Sequence, residues 1–237
     1  MERQPSAHEH LDGELEPEAL DGTLRDLARI NRRLGGIAIS RRAIATLAGP
    51  TRSLHVLDVG TGAADIPLAL LADGRGPVGR VTGIDSRAEI VDWGRARHPG
   101  ALGLELAIAD GGSLPFPDRS VDLAHASLVL HHLDPVAASQ LLAVMARVAR
   151  FGVVVNDLDR RAHGWVGAWL LGHLCTRNRY TRHDAPLSVR RAYRPEEVLL
   201  LAAGAGLVEI GRHWAPLRHR YALALRPTLA VDHPSAA

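Results

Sequence analysis

The chain has 237 residues, 46% of them apolar, and a formal net charge of +2, which allows one well-buried core and steers only weakly toward polyanions. Its single cysteine, Cys175, excludes an internal disulfide and a cysteine-only metal site, and no run reaches the roughly 18 uninterrupted apolar residues of a membrane span. All basic residues are arginine, which removes Schiff-base and lysine general-base chemistry. The polar, acidic start, Met1 to Glu18, has no apolar signal-peptide core, and together these features point to a cytoplasmic protein.

Residues 1–18, rich in Pro, Glu and His and without periodicity, are expected to be disordered. Leu20, Leu24, Leu27, Ile30 and Leu34 recur at helical spacing and predict a helix over 19–34, stopped by Gly35-Gly36. A second short helix is expected from Ser40, as N-cap, to Leu47, before Gly49-Pro50. An alternation of short apolar runs and helical segments follows: strand 54–59, helix 65–72, strand 78–84, a helix capped by Ser86 to Arg97, strand 102–108, strand 121–127, helix 135–149 and strand 151–156. Such alternation implies a parallel sheet covered on both faces. Residues 157–193 break the pattern: an arginine- and histidine-rich insertion that begins as an amphipathic helix, Trp165–Leu174, and then turns irregular. A helix from Pro195 to Ala203 and two strands, 207–212 and 221–225, forming a hairpin-like pair at one sheet edge, complete the domain. The expected organisation is one α/β domain over 19–226, with a helical lid at 19–49, an inserted cap at 157–193 and a flexible tail at 227–237.

The chemistry concentrates at strand ends. In Asp58-Val59-Gly60-Thr61-Gly62-Ala63-Ala64 a buried strand stops, the backbone turns tightly and a helix begins. Glycine permits such a turn and a close ligand approach, and the helix start offers free N–H groups. Asp85 ends the second strand, where a carboxylate beside that turn can accept both hydroxyls of a ribose. Asp110, at the end of the third, can accept an exocyclic adenine amine. The fourth strand runs into Ser127-Leu128-Val129-Leu130-His131-His132 over the same cleft.

These elements, with the Leu114-Pro115-Phe116-Pro117-Asp118 loop before Ser120-Val121-Asp122-Leu123, resemble the class I S-adenosylmethionine-dependent methyltransferases of small molecules, of the ubiquinone/menaquinone-biosynthesis type. The resemblance is close over about 50–156 and looser over 194–226. It implies a doubly wound, mostly parallel seven-stranded sheet with S-adenosyl-L-methionine as cofactor, held by Asp58, Gly60, Thr61, Gly62, Asp85, Ser86, Asp110, Gly111 and Ser127. Asn178-Arg179-Tyr180-Thr181-Arg182-His183-Asp184 in the insertion is similar to bacterial methyltransferases of polyketide-type metabolism.

Methyl transfer to oxygen needs alignment and removal of a proton, for which histidine suits neutral pH. His131, His132 and His183 are the candidate catalytic residues, with Asp184 a possible orienter of His183; Asn156, Arg179, Tyr180 and Arg182 are candidate acceptor contacts. The expected reaction is methylation of oxygen, or carbon, of a phenolic, quinol or polyketide-like small molecule. A nicotinamide oxidoreductase is the weaker alternative, because Ala64 stands where a pyrophosphate turn wants a third glycine and no lysine is available for a hydride-transfer pair. A non-catalytic cofactor-binding protein is the other. No nucleic-acid partner is expected, since net charge and aromatic content are low. Nor is a metal, since adjacent helical residues such as His131 and His132 diverge by about 100°.

Overall fold

Alternation of side chains along each strand gives the sheet two apolar faces. Residues 1–50, 53–72 and 76–228 are described in a computed structural model. On one face Leu57 and Val59 of β1 (Leu54–Val59), Ala124 and Ala126 of β4 (Val121–Ser127), Val153 and Val155 of β5 (Ala149–Leu158) and Leu223 and Leu225 of β7 (Arg220–Pro227) pack against α5 (Pro135–Val148) and α8 (Pro195–Gly204). On the other, Leu54 and Val56 of β1, Leu123 of β4, Val154 of β5 and Ala222 and Ala224 of β7 meet α2 (Gly36–Ala48) and α3 (Asp65–Ala72). With β2 (Val78–Asp85), β3 (Leu104–Ile108) and β6 (Leu207–Trp214), the strand order is β3-β2-β1-β4-β5-β7-β6. β1 to β5 are parallel, and β7 runs antiparallel to both β5 and β6. The doubly wound sheet is therefore as expected, and β6 and β7 do pair, but β7 is an interior strand and only β6 lies at the edge.

Several local readings change. The helix α2 begins at Gly36, after Gly35 at φ 88°, so Ser40 is a helical residue whose hydroxyl is buried rather than a cap. The helix α4 (Ala88–Arg97) has Arg87, the residue after Ser86, at its N-cap. The insertion is not irregular after α6 (Ala162–Cys175): residues 179–191 form α7 with Pro186 inside it. The Asn178 side chain accepts from the Tyr180 N–H, a local cap that starts a helix the internal proline disguises in the sequence.

The N-terminal segment is folded, not disordered. Asp184 of α7 accepts the His10 N–H at 2.9 Å through one oxygen and the Leu11 N–H at 3.1 Å through the other. Arg3 donates to the carbonyls of Arg191 and Leu133 and lies over the Tyr193 ring. The partners sit more than 120 residues away in sequence, so composition alone carries no sign of this docking. The segment then enters α1 (Pro17–Arg33). The expected tail lies outside the described residues from 229 onward. Asp184→Ala removes both acceptors of this strap. It is expected to raise amide exchange at His10 and Leu11 and to speed proteolysis within 1–16; unchanged protection would show that the strap is anchored elsewhere.

Candidate functional site

The sheet order reverses between β1 and β4, and the crevice beyond their carboxyl ends is the natural ligand position of such a fold. A cavity of about 650 Å³ lies there. Its floor includes the glycine turn, where Thr61 N–H donates to the Ile84 carbonyl at 2.9 Å and Ala64 N–H to the Thr61 carbonyl at 2.9 Å. Gly60 has φ 68°, and a Cβ there would stand 2.5 Å from Val129 Cγ2; only glycine fits between turn and β4 loop. Ala64 is fully buried at φ 53°. A left-handed alanine costs about 1–2 kcal/mol, of which burying its methyl offsets about 0.8 kcal/mol.

Asp85 closes the far side. Its carboxylate accepts the Gly62 N–H at 3.2 Å and the Arg87 N–H at 3.2 Å. Burial raises its pKa above the usual carboxylate value, and these N–H groups partly oppose the shift. Two more polar groups on the wall are buried without hydrogen-bond partners, Thr61 Oγ1 and Asp65 Oδ2. Burial likewise raises the Asp65 carboxyl, with the Asn31 amide and Arg220 opposing.

Beneath the cavity a buried polar row crosses four strands on the α2 face. Asp58 on β1 accepts from His125 Nδ1 on β4 at 2.6 Å, and His125 Nε2 meets Ser40 Oγ at 2.8 Å. Asn156 Nδ2 on β5 donates to Ser40 Oγ and to the Gly36 carbonyl, and its oxygen accepts from Arg220 Nε at 2.5 Å. The other two Arg220 nitrogens donate to Asn31 Oδ1 and Ser127 Oγ, each at 2.6 Å. Ser40 Oγ thus joins Asn156 to His125, and the row runs unbroken from Asp58 to Arg220. Arg220, on β7, is 2% exposed, and burial lowers its pKa to about 10 despite Asp157 and Asp65 nearby.

The histidines occupy the opposite wall. His131 is buried; its Nδ1 lies 2.7 Å from Asp157 Oδ1, and its N–H donates to Asp157 Oδ2 at 3.2 Å. Burial pushes the Asp157 carboxyl up, but the imidazole and its hydrogen bonds prevail and hold it below the ordinary range. His131 Nε2 lies 3.8 Å from Glu9 Oε1 on the strap. His132 Nδ1 is 2.6 Å from Asp12 Oδ1, and the two rings stand 4.1 Å apart. They do not diverge as expected, because Leu130–His132 is a single 3-10 turn and a carboxylate from a different segment draws each ring. The remaining wall is mainly apolar: Leu24, Leu27 and Ile30 of α1, Ala168 and Leu171 of α6, Val189 of α7, and Leu158.

Of the residues singled out in the sequence, Asp58, Gly60, Thr61, Gly62, Asp85, Ser86, Ser127, His131 and His132 line this cavity. Asp110 and Gly111 do not: Asp110 is exposed and its carboxylate caps the turn at Gly112 N–H. His183 is also outside, half-exposed on α7 and paired with Asp184 at 2.8 Å. Asn156 is wholly enclosed in the polar row. Arg182 ties α7 to the Gly172 and Thr176 carbonyls, and Arg179 donates to the Tyr180 hydroxyl on the outer surface. The cap does reach the cavity, but through Gly164, Gly167, Ala168, Leu171, Ala185, Ser188 and Val189. Glu9, Asp157 and Arg220 were not singled out. Arg220 carried a signal, a lone cation opening the apolar run Tyr221 to Leu225.

Thr61 and Asp65, with unmet buried oxygens, and the Asp85 carboxylate fit a ligand bearing hydroxyls and an ammonium group. Asp85→Ala is expected to weaken S-adenosylhomocysteine binding by about 2 kcal/mol, roughly thirtyfold, in calorimetry. In the parent protein affinity should fall on acidification at a higher pH than for an ordinary carboxylate, a dependence that Asp85→Asn should remove. Asn156→Ala strands Arg220 Nε and is expected to lower unfolding free energy by about 3 kcal/mol in urea titrations; an unaltered midpoint would exclude its structural role.

Residues 56–152 match the family profile of a methyltransferase domain. A protein of transposon Tn4556 from Streptomyces fradiae, described as uncharacterised, is 34% identical over 154 residues, 63% of this chain. The chain spans 42% of that relative's length. Among solved structures, an O-methyltransferase family 2 protein from Planctomyces limnophilus in complex with apigenin superposes with a TM-score of 0.65 at 22% identity, covering 92% of this chain and 63% of that one. A SAM-dependent methyltransferase from Aquifex aeolicus gives 0.61 at 19% identity, covering 90% and 98%. The seven-stranded doubly wound sheet is the fold of these solved methyltransferases, and the glycine turn and Asp85 both fall within residues 56–152, the stretch that is similar to a methyltransferase domain.

Proposed function

We propose that the protein methylates an oxygen of a small phenolic, quinol or polyketide-like acceptor, with His131 as general base and Asp157 as the group that orients it. The observation that carries this reading is the His131–Asp157 pair on the wall of the cavity whose floor includes the glycine turn. The apolar lining from α1, α6 and α7 suits a flat, weakly polar acceptor, and the apigenin complex of a structural neighbour agrees with that class.

When bound, S-adenosylmethionine supplies an electrophilic methyl on a sulfonium whose departure needs no protonation. In this reading Asp85 takes the ribose hydroxyls, Gly60 and Gly62 make room for the methionine part, and the carboxylate of Asp65 faces its ammonium. Asp110 and Gly111 have no part in this wall, and Arg179, Tyr180, Arg182 and His183 are left as structure of the cap. The protein's own chemistry is then alignment and proton removal. Asp157 accepts the Nδ1 proton of His131, which leaves Nε2 with its lone pair. That nitrogen takes the acceptor's hydroxyl proton as the oxygen attacks, and the adjacent carboxylate stabilises the imidazolium.

The test is turnover with isotopically labelled cofactor over a panel of phenols, quinols and aromatic polyketides. His131→Ala should lose about 10²–10⁴-fold in kcat with S-adenosylhomocysteine affinity retained, and Asp157→Asn should lose part of that. His183→Ala should retain its rate. Unchanged turnover in His131→Ala would overturn the base assignment, and a product methylated on carbon would overturn the oxygen acceptor.

A further inference from the structure

We propose that Glu9, His131 and His132 form a binding site for one divalent transition-metal ion of the zinc type, which fastens the N-terminal strap across the cavity. One ligand atom from each of the three residues lies within 4.8 Å of the others. A tetrahedral ion with bonds of about 2.0 Å needs roughly 3.3 Å between ligand atoms, so small side-chain rotations close the site. Two imidazoles and one carboxylate form a donor set that zinc accepts, with a fourth position left open.

Two independent features point to a ligand here. Each histidine already has its Nδ1 against a carboxylate, His131 with Asp157 at 2.7 Å and His132 with Asp12 at 2.6 Å. This arrangement orients an imidazole for metal binding through Nε2 and raises its basicity. Glu9 is 6% exposed, and its Oε1, the atom 3.8 Å from His131 Nε2, is buried without a hydrogen-bond partner. Arg191 lies 3.3 Å from Glu9 Oε1 and 2.5 Å from Asp12 Oδ2 and holds both strap carboxylates beside the histidines. The other histidine cluster, His10, His183 and Asp184, is weaker on each count, since two of its members are exposed and its carboxylate already accepts two backbone N–H groups.

Coordination through His131 Nε2 takes the lone pair that proton removal uses. The metal-bound protein is therefore held closed and inactive, a consequence that rests on the base reading above, whereas the binding itself does not. The experiment uses the full chain, freed of metal with EDTA and titrated with ZnCl₂ against a chromophoric chelator, with CoCl₂ followed in parallel by its visible spectrum. One ion per chain is expected, with the intense visible bands of low-coordinate cobalt. Glu9→Gln and His132→Ala should each weaken binding about tenfold or more, and Asp12→Asn about tenfold, with circular dichroism confirming that each variant is folded. His183→Ala should bind as the parent does. No saturable binding, equal affinity in folded Glu9→Gln and parent protein, or loss in His183→Ala would each overturn the site. Zinc should also suppress methyl transfer reversibly, and less so in Glu9→Gln. Binding as expected without that suppression would leave the metal site standing and remove His131 as the base.

Discussion

The buried guanidinium of Arg220 is the charge on which the cavity depends. A cation taken out of water must have its donors met and a counter-charge at hand, or it costs several kcal/mol. Here Asn156, Asn31 and Ser127 take its hydrogen bonds, and Asp65 and Asp157 supply the field. Gly36 is part of the same solution, because a Cβ there would stand 2.7 Å from an Arg220 nitrogen. The arrangement ties together the two sides of the site: Asp65 lies at the start of α3 behind the glycine turn, and Asp157 carries His131. A single cation thus acts on both the glycine-turn wall and the His131 wall of the cavity.

Around that fixed floor the walls are assembled from distant segments. The lid helix α1 contributes apolar residues and Asn31, the cap contributes small and apolar residues of α6 and α7, and the strap closes the side nearest His131. The strap is held by backbone hydrogen bonds to Asp184 and by Arg191 between Glu9 and Asp12. Exposed Trp169, Leu170 and Leu174 occupy the outer surface of α6, while its glycines and Ala168 face inward. The cap therefore fills little of the cavity itself, which preserves the space for an acceptor.

What could be read in the sequence was what local pattern encodes. Apolar runs of six or so residues, the two glycines after Asp58 and the acid at Asp85 each follow from backbone and burial rules over short windows, so strands, turn and ligand wall were legible. His131 was legible as a residue type, but its partner Asp157 lies 26 positions on and is joined only by the β4–β5 pairing. Asp184 was legible only in part: it does pair with His183, but outside the cavity, and its carboxylate also serves a strap more than 170 residues away. Asn156 was placed near the acceptor because it ends a strand, but strand alternation turns it toward α2 and into the polar row. Pro186 disguised a helix whose cap, Asn178, was in plain view.

The position of β7 has a bearing on how the molecule is made. Because this strand lies between β5 and β6, the edge of β5 along Val153, Val154 and Val155 has no partner until residues 220–227 have been synthesised and inserted. A chain at that stage presents an apolar strand edge, the kind of surface that recruits other chains, and it also lacks Arg220, so the cavity floor is incomplete. Insertion of β7 therefore ends the aggregation-prone interval and creates ligand-binding competence in one event. A ligand that binds the finished floor and not the incomplete one stabilises the inserted strand by mass action.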